Sequence, residues 1–370
     1  MGALRPTQTQ GRIMKKILPL FAAALILAAC SSEQKPASEP VVQQTVTSVQ
    51  QMPKFDESAA SVSLVGFNGN DNVQRFINFE AANGRYNKAE LQAFFNGAVY
   101  KPNIINIMNK PGTSRPWYEF QKGNAGAAKI ADGRNFYMKN RQVIDQVARE
   151  YGVPAEVLVA IVGIETNYGR NMGSFRLADS LSTLAFDYPR RADFFRKELH
   201  ELLLMSKEEN QDPFWFTGSY AGAMGMPQFM PSSYRKWAVD YDRDGHRNIW
   251  GSVPDVAASV ANYLKSHGWK TGGKMVIPVL LTPTPKLEAV IEEKTELKYT
   301  VGQLRRMGVE IQEPVADHER AVLFKLEVSP GLYEYYIGLN NFYAVWQYNH
   351  SRMYVTAVRD IANGVGSGGL

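Results

Sequence analysis

The sequence predicts a mainly helical α+β protein, preceded by a leader and a polar tether. Three observations carry that expectation. From about Val73 to Lys270 the apolar residues recur at helical spacing. Beyond Gly273 short branched and aromatic runs take over, punctuated by Pro330, Gly331 and Gly338. Ahead of both, residues 1–66 lack either pattern: 1–29 read as leader and 30–66 as a tether.

From Met14 the chain reads MKKILPLFAAALILAAC, with Lys15 and Lys16 before an apolar run and two alanines before Cys30. That is a signal peptide, too short to span a membrane comfortably. Residues 1–13 do not read as a leader, which leaves the start at either Met1 or Met14. The end of the run, Leu27-Ala28-Ala29-Cys30, resembles a bacterial lipobox, whose cysteine is lipidated and becomes the mature N-terminus. Cys30 is the sole cysteine, so no internal disulfide is possible. Ser31 stands where an aspartate would imply inner-membrane retention, so an outer-membrane lipoprotein facing the periplasm of a Gram-negative bacterium is expected. Residues Ser31 to Met52 are rich in Ser, Gln, Pro and Thr and bury too little to offset their ordering entropy. They predict a flexible tether with reach.

The globular part divides into 67–270, which is mainly helical, 271–340, a small β subdomain, and 341–370, a segment returning to the core. A helix is expected near Arg141 to Tyr151, stopped by Gly152. Another carries Val157, Leu158, Ile161, Val162 and Ile164 behind Pro154, and further helices span about Ala192 to Glu209 and Asp255 to His267. Met275 to Leu281 suits a strand, and Thr300 to Arg306 a short capped helix. Ala321 to Val328, Tyr333 to Leu339 and Asn341 to Tyr348 predict a small mixed β unit.

The formal charge of +5 belongs to the leader. Residues 1–29 hold Arg5, Arg12, Lys15 and Lys16 and no acids, leaving 37 bases against 36 acids. A nucleic-acid partner is therefore not expected. The five histidines form no HExxH, and there is neither a GxSxG nor a P-loop, so metallohydrolase, serine hydrolase and nucleotidase chemistries drop out.

Three segments could carry chemistry. In Ile161-Val162-Gly163-Ile164-Glu165-Thr166-Asn167-Tyr168-Gly169, Glu165 shares a ridge with Leu158, Ile161 and Val162 and sits just before a helix end. Apolar neighbours and the negative end of the helix dipole both disfavour its anion, which raises its pKa toward that of a general acid. The plainer alternative is a helix-end glutamate turned to solvent. In Gly218 to Tyr234, small residues at 218, 219, 221, 222, 223 and 225 let a backbone approach a ligand closely. Ser219, Gln228 and the aromatics suit sugar rings; a Gly-rich turn before a packed helix would look similar. Asp240-Tyr241-Asp242-Arg243-Asp244-Gly245-His246 resembles the start of an EF-hand loop, with Gly251 where the closing Glu would stand and Asp255 later. A solvated acidic turn is its alternative. A bound ion would be structural, since nothing implies an activated water.

Taken together, GIETNYGRNMGSFRLADSLSTLAFDYPRR (163–191), GSYAGAMGMPQFMPSSY (218–234), and DRDGHRNIW with SVANYLKSHGW (242–269) resemble the membrane-bound lytic murein transglycosylase B family. RPWYEF (115–120) and LNNFYAVWQYNHS (339–351) match more weakly, and the resemblance runs from about Phe67 onward. It implies a lysozyme-like catalytic core with an added α-helical domain and a small β subdomain. It implies Glu165 as the sole acid/base in cleavage of the MurNAc-β-1,4-GlcNAc bond, with 1,6-anhydromuramic acid as product. Ser219 and Gln228 would line the sugar site, with Tyr263, Tyr343, Tyr348, Arg190, Arg191 and Tyr118 nearby. No cofactor is needed for the chemistry. Asp240, Asp242, Asp244, the His246 carbonyl and Asp255 would hold a structural Ca2+, although the family's closing aspartate usually comes one residue earlier than Asp255. A monomer acting on peptidoglycan strands is expected, recruited to cell-wall synthesis complexes. Two other readings fit the same residues: a muramidase using a second carboxylate such as Asp179 or Asp187, and a peptidoglycan-binding lipoprotein in which Glu165 is idle.

Overall fold

The helix Ala155–Thr166 is the centre around which the rest is packed. Its apolar residues run all round rather than along one stripe, so every face seeks cover. The helices Ala127–Tyr151, Val253–Ser266 and Arg352–Gly366 supply it. The structure, a computed structural model, describes residues 51–110, 115–293 and 296–366. The leader, Cys30 and the tether up to Gln50 lie outside the described residues.

The long helix Ala127–Tyr151 begins well before the predicted Arg141 and is kinked at Asn140, whose side chain donates to the Phe136 carbonyl at 2.8 Å. An amide competing with the backbone in this way bends a helix. Gly152 ends it in the left-handed conformation, φ 70°, as its position predicted. Pro154 caps the next helix rather than lying within it.

A second helical layer holds Asp71–Ala82, Lys88–Gly97, Pro102–Met108, Leu177–Asp187 and Ala192–Glu208. The aromatic rings of Phe67, Phe76, Phe95 and Phe186 meet at 5.8–6.1 Å. Asn70 and Asn87 cap two of these helices, Asn87 with Glu90 as a capping box.

The predicted tether ends earlier than Gly66. Met52 and Phe55 pack on the core, Val62 is buried in a short helix Val62–Val65, and the fully buried Arg196 lies over the Phe55 ring at 4.0 Å while pairing with Glu57. Sparse apolar residues suffice here because Met52, Phe55 and Val62 find cover, while Leu64 and Val65 stay exposed.

The β subdomain is a four-stranded antiparallel sheet in the order Val276–Val279, Leu332–Gly338, Arg320–Ser329, Tyr299–Thr300. Its central strand is buried on both faces, which explains its continuous apolar run. Ala321 and Leu323 face a core of their own with Leu287, Val290, Ile291 and Leu304, while Val322, Phe324 and Leu326 join the main core. Thr300 and Gln303 form the expected capping box. Asn341 to Tyr348, predicted among the β segments, is instead the helix Asn340–Trp346. The buried Asn341 side chain causes this: it accepts from Lys270 N and donates to the Lys270 and Gly273 carbonyls, tertiary bonds that outweigh local β preference.

Candidate active site

Glu165 occupies the last turn of the central helix, and the chain reverses immediately after it. Asn167 N donates to the Gly163 carbonyl and Tyr168 N to the Val162 carbonyl, with Asn167 at φ 52° and Tyr168 at φ 61°. This is a Schellman-type ending. Two left-handed non-glycine residues in succession cost energy, and packing repays it. The Tyr168 ring is buried, and its hydroxyl donates to the Lys129 carbonyl at 2.7 Å. Gly163 and Gly133 leave room for it; a Cβ on Gly163 would meet that ring at 2.6 Å.

The reversal carries the Gly-rich loop to the carboxylate. Thr166 Oγ1 donates to the Met226 carbonyl at 3.0 Å, and Met226 N donates to the Ile249 carbonyl. Within the loop, Ser219 Oγ accepts from Ala223 N and Ser219 N donates to the Ala223 carbonyl, a tight turn closed by Gly222 at φ 89°. Gln228, also left-handed, donates its amide to the carbonyls of Met172 and Gly225.

Tyrosines form the opposite wall. Tyr354, on the helix Arg352–Gly366, donates its hydroxyl to Glu165 Oε1 at 2.6 Å, and Oε2 has no partner among the described residues. Tyr348 stacks toward Tyr354, lies 4.7 Å from the Tyr263 ring, and donates to the Pro227 carbonyl. Tyr263 donates to the Gln347 carbonyl. Tyr354 has no motif signal; only its place on the inward face of an amphipathic helix could have found it.

Burial pushes the Glu165 carboxyl up to about 7, and the Tyr354 hydroxyl pulls against that rise. Neither a cation nor a second carboxylate contributes to the shift. Burial and the neighbouring Glu165 hold the Tyr348 and Tyr354 phenols far above neutrality, so both remain donors. The site thus offers one half-protonated carboxyl at pH 7, able to give and take a proton, between a phenolic wall and a backbone-lined loop.

The other predicted residues lie apart. Tyr343 stacks on Trp346, which stacks on His350. Arg190 and Arg191 are exposed, the latter over the Phe194 ring at 4.2 Å. Tyr118 lies toward the β subdomain, where Glu327 raises its phenol after burial and Glu119. No hydrogen bond or ring contact joins these four to the Glu165 cluster among the described residues. The alternative carboxylates are committed elsewhere. Asp179 is buried and bonded to Arg176 and Val99 N, and Asp187 accepts from Ser61 and Tyr100.

The acidic loop follows the helix Pro231–Trp237. Oxygens of Asp240, Asp242 and Asp244 lie within 4.8 Å of one another. Asp240 Oδ1 is buried without a partner, an orphaned acceptor that fits a hard cation. Asp255 is not in this cluster. Its Oδ1 accepts from Tyr241 N and Oδ2 from Asn248 N, so it braces the loop from behind. His246 N donates to Asp244 Oδ1 at 2.9 Å.

A mainly helical α+β fold with one isolated carboxylate at the end of a buried helix defines a lysozyme-like class of glycan-cleaving site. The transglycosylase SLT domain family matches residues 68–363, and the chain belongs to the lytic murein transglycosylases of that family. It is 37% identical over 361 residues to membrane-bound lytic murein transglycosylase B of Escherichia coli K12, covering 94% of this chain and 96% of that protein. The soluble lytic transglycosylase SltB1 of Pseudomonas aeruginosa superposes with a TM-score of 0.75 at 39% identity, over 79% of this chain and 97% of that one. An Escherichia coli lytic transglycosylase solved in complex with calcium gives 0.73 at 34% identity, over 85% and 99%. SltB3 of Pseudomonas aeruginosa, solved with NAG-NAM-pentapeptide, gives 0.70 at 30%, over 80% and 79%.

Proposed function

We propose that the protein is a peptidoglycan lytic transglycosylase with Glu165 as its only acid/base. Glu165, protonated, gives its proton to the leaving GlcNAc oxygen as the C1–O4 bond of the muramoyl residue breaks. The 2-acetamido oxygen stabilises the cation. The Glu165 carboxylate then takes the proton from the C6 hydroxyl, and O6 closes on C1 as a 1,6-anhydro ring. No water enters, so no second carboxylate is needed, unlike most glycosidases. The internal hydroxyl supplies a high effective concentration in place of a bound water.

One observation carries this reading: the carboxyl of Glu165 is raised by burial, with no charged neighbour, and is held by Tyr354. The hydrolytic alternative loses support because Asp179 and Asp187 are already committed to structural partners. Ser219, Gln228, Tyr263 and Tyr348 are proposed to hold the glycan around Glu165. Glu165→Gln is expected to lower sacculus lysis by at least about two orders of magnitude while glycan binding persists. Retained lysis would overturn the assignment.

The likeness to a membrane-bound relative and the lipobox-like Leu27 to Cys30 support anchoring at the outer membrane by a lipid on Cys30, facing the periplasm. No helix among the described residues is long and apolar enough to cross a membrane. Cys30→Ala is expected to abolish incorporation of labelled palmitate, and retained label would overturn the anchor. Asp240, Asp242 and Asp244 would hold a structural Ca2+, a reading supported by the calcium-bound relative. Such an ion would clamp the loop and supply no chemistry to the cleavage. By the family resemblance, we also propose a monomer that is recruited to cell-wall synthesis complexes.

A further inference from the structure

The segment from Met172 to Arg176 leads from the Gly-rich loop into a second concavity. The Met172 carbonyl accepts from Gln228 Nε2 at 3.2 Å. Gly173 lies against the Gly218 carbonyl, and a Cβ there would come 2.6 Å from Ser219 N. Phe175–Arg176 then pairs with Thr217–Gly218 as a two-stranded ribbon. Ser174, Phe175 and Arg176, with Lys101, Asn103 and Asp179, line a concavity of about 590 Å³. An extended chain advances about 3.3 Å per residue, so this space opens within one or two residues of Ser219.

Its electrostatics are built rather than incidental. Asp179 is 2% exposed, and its carboxylate takes Val99 N at 2.9 Å, Arg176 Nη2 at 2.9 Å, Arg176 Nε at 3.0 Å and Lys101 Nζ at 3.6 Å. The hydrogen bonds fix Arg176, and the ion pair holds Lys101 against the same anion. Arg176 is further pinned by the Gly97 carbonyl and by the Phe214 ring, 5.0 Å from its guanidinium. Its Nη1 has no partner among the described residues, and the side chains of Lys101 and Arg176 are 35% and 40% exposed. Two cations against one buried carboxylate leave one positive charge facing the cavity, with the Ser174 hydroxyl and Asn103 amide beside it. A space of this size takes a few amino-acid residues. The sugar rings of the proposed substrate are neutral, whereas the peptides on its muramoyl lactyl groups carry carboxylates.

We propose that this concavity binds a carboxylate of the peptide stem, with Lys101 and Arg176 as its cations. The inference rests on the glycan-cleaving reading above and names the part of the substrate read beyond the sugars. Cleavage would then favour strands whose muramoyl residues still carry peptides.

The test uses the full chain carrying Glu165→Gln, so that ligands persist, and measures binding by calorimetry. The ligands are a GlcNAc–MurNAc tetrasaccharide bearing pentapeptides, the same glycan with free lactyl carboxylates, and the same glycan with lactyl groups capped as neutral amides. The expected result is tightest binding of the peptide-bearing form. Lys101→Gln should cut that affinity about tenfold relative to the capped glycan, and Lys101→Arg should restore it. Equal losses on all three ligands, a loss confined to the free lactyl form, or no loss would each overturn the proposal. Parent protein that binds the capped glycan but shows no peptide preference overturns this inference alone. Parent protein that binds none of the three overturns the glycan-cleaving reading with it.

Discussion

Glu165 must be acid before bond cleavage and base after it, and a carboxyl held at about 7 meets both demands near neutral pH. Its folded value lies above the ordinary 4.5, so the protonated form is lost as pH rises through about 7 and activity should fall on that alkaline side. Tyr354 donates to the carboxylate and so favours the anion. Tyr354→Phe removes that donor and leaves burial unopposed. The alkaline limb of kcat/KM should move to higher pH, and kcat should drop by about one order of magnitude, the worth of a hydrogen bond to a charged group. A limb that stays put or moves down would show that the contact does not set the carboxyl. At this scale Glu165 was readable because helix periodicity, an apolar ridge and a nearby break coincide in one short stretch. Tyr354 was not, because a tyrosine on a buried helix face looks like any other core aromatic until its hydroxyl finds a partner 189 residues away.

Elements matter through two backbone junctions, the reversal after Thr166 and the ribbon pairing Phe175–Arg176 with Thr217–Gly218. Gly173 has φ 87° and lies against the Gly218 backbone, so it is strained for any side chain and has no space for one. Gly173→Ala should destabilise the fold by about 2 kcal/mol or more, read by denaturant unfolding, and should raise KM because Ser219 shifts with the ribbon. An unchanged midpoint and KM would contradict that coupling. The helix Ala192–Glu208 and the capped helix Val301–Arg306 were readable from caps and spacing. The helix Asn340–Trp346 was not, since its cause is the Asn341 side chain bonding to residues some 70 positions earlier.

The whole molecule joins a helical core to a sheet whose central strand is covered on both faces, so the β subdomain is an extension of the core rather than an appendage. The acidic loop is braced from behind by the buried Asp255. Calcium should therefore raise the melting temperature relative to chelator, by a few degrees if binding is worth 1–2 kcal/mol, and Asp242→Asn with Asp244→Asn should abolish the effect. No calcium-dependent shift would argue for a solvated acidic turn. Charge balance and the switch from helical to β spacing were plain at this scale. The packing of Met52, Phe55 and Val62 on the core was not, because so few apolar residues carry it. The central claim is that a single carboxylate cleaves the glycan without water. Digestion of purified sacculi, with the fragment ends identified by mass spectrometry, tests it most directly. The account predicts ends in 1,6-anhydromuramic acid, one water lighter than reducing ends, and their absence from the Glu165→Gln digest. Reducing ends from the wild-type protein would contradict it and require a second, water-directing carboxylate opposite Glu165.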